Sequence, residues 1–223
     1  MNMLRRAWVV FAKELRVEFR THELTLTTGF FVLLVAGMFS FAFEPTSTEA
    51  RALVPGLLWL AFLFAASLML QFSFLREQID DTLSALRLAA GDPFAILLGK
   101  AAASGAFLFG IELVFLPVFA VFYNLPLHLL SGALLGMLLA ATAGLSLVGS
   151  AFSALVARSR MRELLLPLLL LPLLSPVLIA GVEATAEMFD TGSADARWWG
   201  IVGAFDVTYL AAAWLLADFL IQE

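Results

Sequence analysis

The sequence predicts an all-α integral membrane protein with six transmembrane helices, an N-terminal amphipathic interfacial helix before them, and both termini in the cytoplasm. Three observations carry this. The 223 residues are 62% hydrophobic, well above the roughly 45–50% usual for soluble domains. The apolar residues fall in runs of about 20 or more, the length a span needs. Eleven of the thirteen Lys and Arg residues fall on one side of the resulting topology, which is the cytoplasmic side by the positive-inside rule.

The first twenty residues are not read as a cleavable signal. Leu4, Trp8, Phe11, Leu15 and Phe19 recur at helical spacing. Arg5, Arg6, Lys13 and Arg16 lie off that stripe. A helix of this kind lies in the membrane interface with its cations at the headgroups. Residues 1–22 are therefore an interfacial elbow.

The spans follow at about 25–43, 53–75, 95–123, 128–157, 164–183 and 199–221. The breaks carry turn chemistry: Glu44-Pro45, Gly91-Asp92-Pro93, Asn124-Leu125-Pro126 and Asp190-Thr191-Gly192-Ser193. Pro167, Pro172 and Pro176 should remove backbone hydrogen bonds from the fifth span and bend it. Gly132, Gly136, Gly144 and Gly149 should let helices approach the fourth span closely. Trp198 and Trp199 belong to the outer interfacial belt. No repeat or linker divides the chain, so residues 1–223 form one domain.

Cysteine is absent, which excludes disulfides and Cys-based metal sites. The two histidines, His22 and His128, cannot form a multi-histidine site within one chain. His128, beside a proline turn, reads as an interfacial residue rather than a haem ligand. No metal site and no nucleic-acid partner are expected.

Two acids, Glu112 and Asp206, fall near the middle of spans. An acid there costs about 2.5–3.5 kcal/mol on the insertion scale. Each is a candidate for an intramembrane polar site. The competing role is structural, with the carboxyl bonded to a neighbour such as Thr208 or Tyr209. Asp218, nearer the cytoplasmic end, reaches water.

The break at 76–94 is the most charged. Asp81 or Thr82 can cap a short helix there, Leu83, Leu86 and Leu88 give it an apolar side, and Arg87 suits its C-terminal end. Such a helix fits a groove on another protein. On local sequence, a plain connecting turn is equally open.

Several stretches resemble the CcmB family, the membrane permease of the ABC-type haem exporter of cytochrome c maturation. Ala50-Arg51-Ala52-Leu53-Val54-Pro55-Gly56-Leu57-Leu58-Trp59 is similar to the family's entry to the second span. Phe74-Leu75-Arg76-Glu77, followed by Asp80-Asp81-Thr82-Leu83-Ser84-Ala85-Leu86, resembles its acidic segment before a short cytoplasmic helix. Leu98-Gly99-Lys100 and the Leu- and Pro-rich stretch from Leu164 to Gly181 are similar to the start of its third span and to its fifth span. Asp81-Thr82 departs from the family's usual acidic residue followed by Gly. More loosely, the chain resembles six-span ABC-2-type exporters.

The resemblance implies that 76–94 is a coupling segment docking on a cytoplasmic ATPase dimer, with Glu77, Asp80, Asp81, Leu83, Leu86 and Arg87 as its contact residues. This chain is then not an enzyme. Gly99-Lys100 is followed by Ala101 and position 94 is Phe, so no phosphate-binding G-x-x-x-x-G-K-[ST] loop is present. ATP would bind the partner. Haem is implied as the substrate of the complex, together with a second haem-handling membrane subunit and a haem chaperone. A homodimer is left open. The location implied is the bacterial inner membrane. The alternatives are an exporter of a lipid or drug and a non-transporting membrane scaffold.

Overall fold

The computed structural model describes residues 2–42, 48–71, 91–125, 131–156, 159 and 161–222. Among them seven helices are found: α1 (Met3–Thr21), α2 (Glu23–Ala42), α3 (Thr48–Gln71), α4 (Pro93–Phe122), α5 (Gly132–Val156), α6 (Arg162–Thr191) and α7 (Ala196–Gln222). Six of them, α2 to α7, are long and apolar enough to cross a membrane. The expected elbow plus six spans is therefore the architecture.

The helix ends follow from local chemistry. His22, with φ 54°, closes α1 in the left-handed region. Gly91, at φ 61°, turns the chain into α4. Asp92 then caps α4 by accepting from Phe94 N (3.1 Å) and Ala95 N (3.4 Å), and Pro93 occupies the first turn, where its missing N–H costs nothing. Ser131 caps α5 by accepting from Leu134 N at 3.2 Å. Gly192, at φ 80°, ends α6.

α6 runs past the predicted limit of 183, to Thr191. The acids beyond that limit serve the turn. Glu187 accepts from Asp195 N (2.9 Å) and pairs with Arg197 (3.0 Å), which ties the end of α6 to the start of α7. The Arg197 guanidinium lies 4.3 Å from the centre of the Trp198 ring. The prolines do not break α6. Pro176 has no N–H for the Pro172 carbonyl, and the Ser175 hydroxyl donates to that oxygen at 2.8 Å. Polar side chains commonly satisfy backbone freed by proline within a membrane.

The core lies where α3, α4, α5 and α6 meet; Leu63, Met69, Leu108, Met137, Leu138 and Leu174 are all buried there. Small residues bring these helices together. Gly149 packs under Leu70, and Gly136 meets Trp199. Gly132 meets nothing, so it does not share the predicted packing role. The tightest contacts are at Gly144 and Gly149, as the sequence suggested, and Gly181 adds another. A Cβ on Gly181 would lie 2.6 Å or less from three atoms of the Trp59 ring. That ring is fixed by its Nε1–H, which donates to Thr185 Oγ1 at 2.9 Å. The Trp of the Pro-Gly-x-x-Trp stretch is thus a packing anchor between α3 and α6.

Candidate functional site

The elbow meets α4 next to the charged segment. Ala7 and Val10 of α1 pack on Gly99, where a Cβ would come within 2.6 Å of the Ala7 carbonyl oxygen. One residue on, Lys100 is 1% exposed and its ammonium donates to Glu14 of α1 at 2.8 Å. A buried ion pair is held by its geometry, because a single buried partner would cost several kcal/mol. Lys100 is therefore an internal strut between α4 and α1. Arg6 reaches the Gly91 turn; a Cβ there would lie 3.2 Å from Arg6 Nη1. Glu18 accepts from the backbone N–H (2.8 Å) and hydroxyl (3.0 Å) of Thr25, which joins α1 to α2. The predicted contact residues Glu77, Asp80, Asp81, Leu83, Leu86 and Arg87 lie outside the described residues, as does His128.

The two acids are placed differently. Glu112 on α4 is buried, and the Thr142 hydroxyl of α5 donates to it at 2.8 and 2.9 Å. Its partner is therefore on a neighbouring helix, and is neither Thr208 nor Tyr209. The Thr208 hydroxyl donates to Ala204 O at 2.7 Å within its own helix. Asp206 on α7 lies against Gly144 of α5, in the space a side chain there would fill. Its Oδ1 is buried and has no hydrogen-bond partner among the described residues.

Asp206 and Thr142 line the same cavity of about 610 Å³ between α4, α5 and α7. Its other walls are small or apolar, including Leu98, Ala102, Gly105 and Leu139. That size is within the range of small-molecule sites, which combine apolar walls with few polar groups. Glu112 stands behind Thr142, so the two acids and the hydroxyl form a polar layer across three spans. Sequence reasoning found both acids. It missed Thr142, because a threonine in a span gives no signal until its partner is known. No cluster of three or more His, Cys, Asp or Glu side chains suited to a metal occurs among the described residues.

The family model described as "CcmB protein" matches residues 5–220. The chain is 37% identical over 179 residues to "Heme exporter protein B" of Pseudomonas aeruginosa, covering 79% of this chain and 78% of that protein. It is 32% identical over 171 residues to the Haemophilus influenzae protein of the same name, covering 76% of each. With the Rhodobacter capsulatus protein of that name the identity is 34% over 154 residues, covering 69% of this chain and 70% of that one. With the elbow and six spans in place, this match over nearly the whole length settles the family: the chain belongs to the CcmB proteins.

Proposed function

We propose that the chain is the permease subunit of an ABC-type haem exporter in the bacterial cytoplasmic membrane, with both termini in the cytoplasm. It couples ATP hydrolysis on a separate subunit to haem export, or to release of a haem-loaded chaperone. The observation that carries this reading is the alignment with proteins named as haem exporters over more than three quarters of the chain. The partners are an ATPase dimer, a second haem-handling membrane subunit and the chaperone.

The elbow junction supports the coupling step. Residues 76–94 form the docking segment, which contains the Gly91-Asp92-Pro93 turn. Beyond that turn, Gly99 and Lys100 hold α4 to α1. A push from the ATPase on this segment therefore moves elbow and third span together. Such a push shifts the inward–outward equilibrium only if the docked segment has different energies in the two states.

Depletion of the chain tests the function. Haem-stained gels of depleted cells should lose c-type cytochromes while b-type cytochromes persist. An affinity-tagged chain should carry an ATP-binding-cassette polypeptide out of native membranes. Normal c-type cytochromes in the depleted strain would sink the proposal.

The polar layer is the second element of the reading, a place where the bundle works on its substrate or changes state. Glu112→Gln and Asp206→Asn should both reach wild-type abundance, because removing charge from mid-bilayer eases insertion. Complementation by Asp206→Asn should fall more, since Asp206 faces the cavity and Glu112 is held by Thr142. Full complementation by both variants leaves the acids a packing role only.

A further inference from the structure

A second cavity, of about 790 Å³, lies between α1, α2 and α4. Phe19 and His22 stand at its elbow end, Phe107 and Gly110 along one side, and Leu33 and Val118 at its far end. From His22 to Leu33 is eleven residues, about 16 Å at helical rise. One leaflet of hydrocarbon is about 15 Å deep. The groove thus has the length and depth of a single acyl chain. Phe19 crosses to Phe107 with ring centres 6.1 Å apart, edge to face, and closes part of one wall.

The elbow has three faces. Ala7, Val10 and Glu14 turn to α4. Phe11, Leu15 and Phe19 line the groove, while Leu4 and Trp8 continue the same apolar stripe and stay exposed. Arg5, Arg16 and Arg20 are exposed on the remaining arc. At about 100° per residue, Arg16 lies beside Phe19 at the edge of the groove. Glu18, the acid at the mouth, is buried and bonded to Thr25. Exposed cations therefore flank the elbow end of an acyl-sized slot, Arg16 about 60° and Arg20 about 100° round the helix from Phe19.

We propose that this groove is a site for an anionic phospholipid. One acyl chain lies between α2 and α4, and the phosphate rests against Arg16 and Arg20. The geometry needs a tail and an anionic head in one molecule, which a bilayer lipid supplies and free phosphate does not. A resident lipid would complete the surface that joins the elbow to the first and third spans.

The test uses the full chain, exchanged into nanodiscs of equal phosphatidylglycerol and phosphatidylcholine, then extracted and weighed by native mass spectrometry. Wild type should retain phosphatidylglycerol over phosphatidylcholine by roughly tenfold or more, given the attraction of each cation for anionic lipid. Arg16→Gln with Arg20→Gln should bring that ratio close to one. Gly110→Phe should lose both lipids, because it fills the groove from a position with no heavy atom within 4 Å of its Cβ. Gly37→Phe, equally open but off the groove, should retain phosphatidylglycerol like wild type and shows that a ring in a span is tolerated. Equal retention of the two lipids by wild type would overturn the proposal. So would retention by Gly110→Phe at the wild-type level, or equal loss in Gly37→Phe.

Discussion

A chain carrying Leu86→Asp should reach the membrane at wild-type abundance, lose its ATPase on purification and fail to mature cytochrome c. In the proposed topology position 86 belongs to the charged segment between the second and third spans, outside the hydrocarbon, so insertion should be unaffected. In the proposed complex its side chain enters an apolar groove on the ATPase. Burying an unpaired charge there costs several kcal/mol, which weakens docking by orders of magnitude. Arg87→Ala should act more mildly, as rim charges do, by slowing association and changing its salt dependence. Quantitative co-purification and haem staining on the same membranes separate the two. An ATPase that stays with Leu86→Asp, with normal haem staining, would reduce 76–94 to a connection.

Gly99→Leu should be the most damaging change within the described helices. At this position even a Cβ meets the Ala7 carbonyl oxygen at 2.6 Å and Val10 Cβ at 2.7 Å. The first of these is backbone and cannot swing aside. Overpacking usually costs 1–3 kcal/mol, and here it also separates Lys100 from Glu14, 2.8 Å apart in the native fold. Loss of such a pair costs roughly 3–5 kcal/mol. We expect the elbow to leave α4, the thermal transition in detergent to fall sharply and complementation to disappear. Gly203→Ala provides the contrast. Its Cβ meets open space on α7, so the change should be neutral or stabilising by up to about 1 kcal/mol. If both variants melt like wild type, the elbow is not seated as described.

Much of the fold was legible because the bilayer enforces it. Hydrophobic length and Lys/Arg placement alone located six spans, each bound within a few residues where the structure describes it, except the far end of α6. That end was misplaced because the apolar run thins out before the helix stops, and Glu187 in its last turns reaches across to Arg197. The elbow was found from its stripe, but its seat was not. Leu4 and Trp8 of the stripe stay exposed and Phe11, Leu15 and Phe19 only line a groove, whereas the packed face consists of Ala7, Val10 and Glu14, which stand out in no periodicity. Glu112 and Asp206 were conspicuous as acids in oil. Their different fates depend on Thr142 and Gly144 of α5, and only the packing of helices brings these residues together.

The Lys100–Glu14 strut also sets an order of assembly. Its two ends are 86 residues apart in the chain. At about 5–20 residues per second, synthesis of the second end trails the first by roughly 4–17 s. During that interval the elbow exists without its seat, and only its apolar stripe and arginines hold it at the bilayer surface. Helix α1 is thus made before α4 but docks only after α4 has followed it. Ribosome-arrested chains ending before α4 should leave Glu14 open to aqueous labelling through an engineered cysteine, and chains ending beyond α5 should protect it.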